Sequence, residues 1–197
     1  MKTEYEVKVL DSDFTAIRAK LAEAGGKLLQ PRRMMKRYIL DYEAADLQKS
    51  NAYIRVRDEG DRVTTTYKLT ESRSVDGVKE LEVEVSELET MIEIYKNLGL
   101  VVHSYQETFR ESWEVDGVEV ELDEWPWLDP FIEIEGHSEQ EVRSLVEKLG
   151  YQWQDAVPGD VVQLYQDIYD IEDWEISRKN KIEFGPVPKW LEERRKK

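Results

Sequence analysis

A chain of 197 residues with no cysteine has the length of one domain, or one domain with a tail, and can carry neither a disulfide nor a thiolate metal site. Its formal charge of −15 argues against nucleic-acid binding through a basic surface. No apolar run approaches the roughly 18 residues of a membrane-spanning helix, and the N-terminus lacks the apolar stretch of a signal peptide, so a cytoplasmic protein bound to neither nucleic acid nor membrane is expected.

In chain order, residues 2–10 read as a strand, and Asp11, Ser12 and Asp13 supply caps for a helix over about 13–24, where Phe14, Ile17 and Leu21 recur at helical spacing. Residues 28–41 form a longer strand with an irregular start at Pro31, and Lys36, Tyr38 and Leu40 share one of its faces. Strands 52–58 and 62–69 make a hairpin around Glu59-Gly60-Asp61, followed by a polar loop over 70–77. Strand 78–86 leads into a helix over 87–98, for which Ser86 and Glu89 form a capping-box pattern. Strands 101–115 and 118–124 meet at Asp116-Gly117, a strong hairpin signal. Strand 131–135 precedes a helix from Ser138 to Leu149, again with a capping box through Glu141, and a shorter helix covers 160–169. This order is that of an α+β barrel and not of alternating βαβ units.

The charges fall into alternating sets. Glu4, Glu6 and Lys8 share one face of the first strand, with Tyr5, Val7 and Val9 on the other. Arg55 and Arg57 alternate with aliphatics, as do Glu80, Glu82 and Glu84, then Glu119, Glu121 and Asp123, then Glu133 and Glu135; Lys68 and Arg110 add further bases. For any single strand, a solvated outer face explains the pattern. Jointly, with basic pairs on some strands and acidic pairs on others, the pattern predicts a polar interior holding an anion site beside a site for a hard divalent cation. A closed barrel supplies that geometry, with amphipathic helices covering its apolar outside. His103 and His137 have no His or Cys partner at ligand spacing, so a zinc site is not expected.

Two features stay open. Trp113, Trp125, Trp127 and Trp153 read as core or rim packing, the alternative being a base-stacking platform; Tyr38 and Tyr67 could face the interior or be structural. The stretch after Ile171, with Arg178-Lys179-Asn180-Lys181 and a basic end at Lys189–Lys197, reads as a surface helix or loose end, or else as a cap on one mouth of a barrel.

The ordered set of charges resembles the CYTH superfamily, the triphosphate tunnel metalloenzymes, which include class IV adenylate cyclases, thiamine triphosphatases and inorganic tripolyphosphatases. The resemblance rests on Glu4, Glu6 and Lys8 (E-x-E-x-K), Arg55 and Arg57 (R-x-R), Lys68, Glu82 and Glu84, Arg110, Asp123, and Glu133 with Glu135, and covers about residues 1–170, leaving 171–197 as a C-terminal tail. It implies an eight-stranded antiparallel closed β-barrel with its charges inward. It also implies that Lys8, Lys36, Arg55, Arg57, Lys68 and Arg110 bind the phosphates. Glu4, Glu6, Glu82, Glu84, Asp123, Glu133 and Glu135 then hold Mg²⁺ or Mn²⁺, with Glu4, Glu6 and Lys8 at the catalytic centre. Lys179 and Lys181 are candidates for a basic residue from the C-terminal part.

The expected partner is a small-molecule triphosphate, with a homodimer left open. The first functional expectation is metal-dependent hydrolysis of tripolyphosphate or of a nucleoside or organic triphosphate, thiamine triphosphate among them. The second is cyclisation of ATP to cyclic AMP and pyrophosphate, as in the class IV cyclases. A binding module without turnover is the third. Triphosphate cleavage needs neutralised charge at the transferring phosphoryl group and a positioned nucleophile. Arginine and lysine supply the first, and a carboxylate-held cation with an oriented water supplies the second.

Overall fold

The computed structural model describes residues 1–10, 13–177 and 181–196. Asp11 and Ser12, expected as caps, and Arg178, Lys179 and Asn180 lie outside the described residues.

Among these residues eight antiparallel strands close into a barrel: β1 (Lys2–Val9), β2 (Lys27–Tyr42), β3 (Ala52–Asp58), β4 (Val63–Thr70), β5 (Val78–Val85), β6 (Leu100–Val115), β7 (Val118–Glu124) and β8 (Phe131–Gly136). The order around the barrel is β1-β5-β4-β3-β2-β6-β7-β8, so every strand has a neighbour on each side. The Asp116-Gly117 turn between β6 and β7 has φ of 54° and 83°, which is the left-handed pair a two-residue hairpin requires. Pro31 has no N–H to give the ladder, and β2 shifts register against β6 between Gln30 and Arg33, and again between Ile39 and Leu40.

Apolar residues at alternate positions face outward and are covered by helices. Helices α1 (Phe14–Glu23) and α3 (Glu139–Lys148) pack Ile17, Leu21, Val142, Leu145 and Val146 onto Val7, Val120, Ile132 and Ile134 of β1, β7 and β8. Helix α2 (Leu88–Asn97) lays Ile92 on Leu40, Val56 and Leu100. Half of the expected box at Ser138 forms: Glu141 N–H donates to the Ser138 hydroxyl at 3.3 Å, while the Glu141 carboxylate accepts at 3.0 Å from the N–H of His137, one residue before the N-cap. Asp13 caps α1 through the N–H groups of Thr15 and Ala16. The expected box at Ser86 does not form: the N-cap of α2 is Glu87, with no side-chain cap bond, and the Glu87 carboxylate instead accepts from the Thr90 hydroxyl at 2.7 Å.

The C-terminal part continues the fold. Strand β7 ends opposite Phe109, leaving the first half of β6 unpaired on that side, and Ile182 takes the vacant edge with backbone bonds to Tyr105 and Glu107 at 2.9 and 2.8 Å. Ile176, Ile182 and Leu191 are buried with Trp125, Phe131 and residues of helix α4 (Val161–Ile168), forming a second core at one end of the barrel. Tyr165 and Tyr169 anchor it by donating to the carbonyls of Pro126 and Trp127. The reading of this stretch as a loose surface end is thereby overturned, because three of its side chains are too well buried for that.

Strand β1 pairs with β5 only through Lys2, Thr3 and Glu4. Beyond that point Val75 and Val157 supply the partners, with Lys8 N–H donating to Val157 O and Val157 N–H returning to Lys8 O, both at 2.8 Å. The segment around 157–160 thus seals the wall beside Lys8.

Candidate active site

Strand alternation puts one charged row from each strand inside the barrel, around a cavity of about 410 Å³. Glu4, Glu6, Lys8, Arg55, Arg57, Lys68, Glu82, Arg110, Glu133 and Glu135 all line it.

At one side of the cavity, carboxylate oxygens of Glu4, Glu6 and Glu135 lie within 4.8 Å of one another. Lys68 Nζ lies 2.9 Å from Glu4 Oε2 and forms an ion pair with it. Burial would raise the Glu4 carboxyl, and the Lys68 ammonium outweighs it and holds it below its ordinary value. Glu6 behaves oppositely: burial, with repulsion from Glu133 and Glu4 and only partial relief from Lys8, pushes it up to about 7. Burial and the neighbouring Glu4 likewise lift Glu80 to about 7. Three convergent carboxylates, two of them buried and one of those reluctant to ionise, fit a hard divalent cation such as Mg²⁺ or Mn²⁺, which takes oxygen ligands.

Lys8 sits at the closed wall, 3.2 Å from Glu6 Oε1, 3.1 Å from Glu133 Oε2 and 2.6 Å from the Gly159 carbonyl. Burial disfavours its charge, but Glu133 and Glu6 more than compensate and keep it protonated. Glu133 also accepts from Arg110 at 3.3 Å, and Lys8 and Arg110 together overcome burial and hold its carboxyl far below the usual range.

The arginines form the opposite group. Arg55 donates to Glu82 and to the Thr66 hydroxyl, each at 3.1 Å, and its buried Nε has no partner. Arg110 grips Asp123 with two bonds, one of them Nε to Oδ1 at 2.7 Å. Arg37 is buried, donates to the Thr108 hydroxyl at 3.1 Å and leaves Nε without a partner; among the described residues it makes no ion pair. Burial, and then the charges of Arg57, Arg55 and Arg110, push its guanidinium down to about 9. A buried, unpaired cation beside three others is costly unless an anion completes it.

Three expected members fall elsewhere. Lys36 projects from the outer face of β2 and is exposed, whereas Arg37 occupies the inward position, because alternation after the Pro31 irregularity runs through Arg33, Met35 and Arg37. Glu84 is exposed at the far end of β5 and takes no part in the cavity lining. Asp123 is buried outside the cavity lining, with each oxygen accepting a bond from Arg110, so it is the counter-ion of that arginine. Conversely, Arg37, Glu59, Glu80 and Glu121 line the cavity and were not singled out. For Glu80 and Glu121 the signal existed, since both lie on the alternating faces of β5 and β7.

Of the tryptophans, Trp113 and Trp153 pack on the outer core, while Trp125 joins the second core and lines the cavity, so the four form no platform. Tyr38 and Tyr67 point outward; Tyr38 packs against Tyr105 in a tilted arrangement with ring centroids 5.0 Å apart.

A closed antiparallel barrel lined by opposing sets of arginine, lysine and carboxylate defines a charged-tunnel protein. The chain belongs to the CYTH domain family, whose profile matches residues 2–159. It is similar to a protein of Methanocaldococcus jannaschii named as a putative adenylate cyclase, 26% identical over 133 residues, or 67% of this chain and 75% of that one. The fold matches the crystal structure of a protein from Vibrio parahaemolyticus, also described as a putative adenylate cyclase, at 12% identity and a TM-score of 0.73, covering 84% and 98% of the two chains. It also matches a putative adenylyl cyclase from Hippeastrum described as having a dominant triphosphatase activity, at 16% identity and a TM-score of 0.55, covering 81% and 91%. Among the described residues no helix is long and apolar enough to cross a membrane.

Proposed function

We propose that the tunnel binds the triphosphate chain of a small-molecule substrate and, with Mg²⁺ or Mn²⁺, hydrolyses it. The observation that carries this reading is Arg37, a buried guanidinium that makes no ion pair among the described residues and faces the same cavity as Arg55, Arg57 and Arg110. In this reading the arginines and Lys68 bind the phosphoryl oxygens and neutralise the charge that develops as the terminal group transfers. Glu4, Glu6 and Glu135 hold the cation, which when bound polarises phosphoryl oxygens and lowers the pKa of a coordinated water. Lys8, fixed between Glu6, Glu133 and the Gly159 carbonyl, keeps a positive charge between the carboxylate cluster and the closed wall. Water attacks the terminal phosphorus, the bond to the bridging oxygen breaks, and orthophosphate leaves together with the remaining diphosphate, which is pyrophosphate when the substrate is tripolyphosphate and the organic diphosphate otherwise.

Cyclisation of ATP is the second reading. It is favoured by the name of the M. jannaschii relative and by a second cavity of about 290 Å³, which shares Tyr53, Thr70 and Asp160 with the first and has room for part of an organic group. Product analysis separates the two. Tripolyphosphate and ATP are each incubated with the protein and Mg²⁺ or Mn²⁺, and the products resolved by chromatography. Orthophosphate and pyrophosphate from tripolyphosphate are expected. Cyclic AMP from ATP with tripolyphosphate left intact replaces hydrolysis by cyclisation.

A further inference from the structure

Glu59 lies one residue beyond β3 and is almost wholly buried at the β3–β4 end of the tunnel, in the lining of the same cavity. Its backbone is fixed on both sides: its N–H donates to Arg62 O at 2.9 Å and its carbonyl accepts from Arg33 Nε at 3.0 Å. Its carboxylate is equally committed. Oε1 accepts from Arg57 Nε at 2.8 Å and from the Thr64 hydroxyl at 3.2 Å, with Arg57 Nη2 at 2.5 Å, and Oε2 accepts from Arg62 Nε at 3.0 Å. Arg57 and Arg62 together outweigh burial and hold the carboxyl at about 2, so it is an anion at any working pH.

Among the described residues this carboxylate is the one ion-pair partner of Arg57. The guanidinium is nine-tenths buried and repelled by its neighbours; burial, then the charge of Arg55, pushes it down to about 10. Glu59 takes the Nε edge and part of Nη2, which leaves the Nη1 end for an anion in the cavity. Left to itself, a long side chain beside three other guanidiniums would turn away from them and from the tunnel axis. A carboxylate inside an anion site also has a direct cost, because it repels the ligand it helps to bind. Its presence there calls for a compensating role.

We infer that Glu59 is a positioning residue, which fixes the Arg57 guanidinium for contact with the phosphate chain and thereby strengthens anion binding despite its own negative charge. The inference rests on the triphosphate reading of the tunnel. It predicts a reversal of sign. Where Arg57 is present, Glu59→Gln frees the guanidinium, which must then be ordered on binding. Where Arg57 is absent, Glu59 is only a repulsive charge, and its removal helps.

The test is titration calorimetry of tripolyphosphate with Mg²⁺ on four proteins: wild type, Glu59→Gln, Arg57→Gln and the double variant. Glu59→Gln is expected to weaken binding by about fivefold, the scale of ordering one long side chain, and to tighten it in the Arg57→Gln background. If Glu59→Gln fails to fold, Thr64→Val removes one anchor of the carboxylate while keeping shape and charge, and is expected to weaken binding by a smaller factor only where Arg57 is present. Unchanged or tighter binding by Glu59→Gln, or equal weakening in both backgrounds, overturns the positioning role. Absence of tripolyphosphate binding by the wild-type protein overturns the triphosphate reading itself and the inference with it.

Discussion

The guanidinium of Arg37 lies over the indole ring of Trp125, 4.5 Å from its centroid, so a buried tunnel arginine that makes no ion pair among the described residues is held by an aromatic face from the second core. A desolvated cation–π contact of this kind contributes about 2 kcal/mol. It also orients the guanidinium without neutralising it, which a carboxylate could not do. The segments packed around Trp125, including α4 and Ile182, therefore bear on the binding site although they contribute little to its lining.

Trp125→Leu should weaken triphosphate binding by roughly 5- to 30-fold, the equivalent of about 1–2 kcal/mol, while Trp125→Phe retains most of the affinity because it keeps a ring face. Competition or calorimetric titrations with tripolyphosphate measure both, and thermal melts run in parallel separate the loss of the contact from a loss of folding.

Ile182→Ala should cost about 2–4 kcal/mol of stability, the range for emptying a fully buried aliphatic site. A tail that merely lay on the surface would show a change within about 0.5 kcal/mol. Urea unfolding of the two proteins distinguishes these outcomes.

Divalent cations should stabilise the protein more at pH 8 than at pH 5.5. Burial, then the charges of Glu133 and Glu4, keep the Glu6 carboxyl at about 7, so below that pH a cation must displace a proton to reach it, and above it need not. Thermal melts with and without Mg²⁺ at the two pH values test this. The dependence should weaken in Glu6→Gln, and a Mg²⁺ shift independent of pH in the wild-type protein contradicts the assignment.

The cation-free protein should itself lose stability as pH rises from about 4.3, the ordinary glutamate value, to about 7. Glu121 is raised to about 7, chiefly by burial and against the pull of Arg110, so the native state binds a proton across that window that the unfolded chain does not, and stability falls with increasing pH. Glu59 has the opposite sign: its carboxyl sits at about 2, its contribution is complete above about 4.3 and is lost as pH falls towards 2. Glu6 and Glu80, also raised to about 7, add to this upper limb, so Glu121→Gln should make it shallower without abolishing it and leave the acid limb in place, as read by urea unfolding across pH 2–8.

The barrel was legible because half-buried strands alternate, and eight alternating segments with two-sided chemistry fit no simple surface sheet. The same rule told which of Glu4, Glu6, Lys8, Arg55, Arg57 and Arg110 share a side. It did not settle β2, where Pro31 interrupts the ladder and a shift of one residue exchanges Lys36 for Arg37. Along β5, alternation could not say how deep each carboxylate lies: Glu80 and Glu82 reach the cavity and Glu84 passes its rim. Glu59 was hidden because it sits in a turn, where no periodicity marks the side a residue faces. The C-terminal stretch was misleading for a different reason. Its composition is basic and polar, and its three buried side chains are too widely spaced to form a pattern.

The most direct test is calorimetric titration of tripolyphosphate, with Mg²⁺, into the wild-type protein, Arg37→Gln and Lys36→Gln. If the buried arginines grip a phosphate chain, Arg37→Gln weakens binding by roughly 10- to 100-fold, the scale of one charge-assisted contact of about 1.5–3 kcal/mol, and Lys36→Gln binds as the wild type does. Equal affinities for all three proteins, or a loss confined to Lys36→Gln, would contradict an anion site built on the inner face of β2.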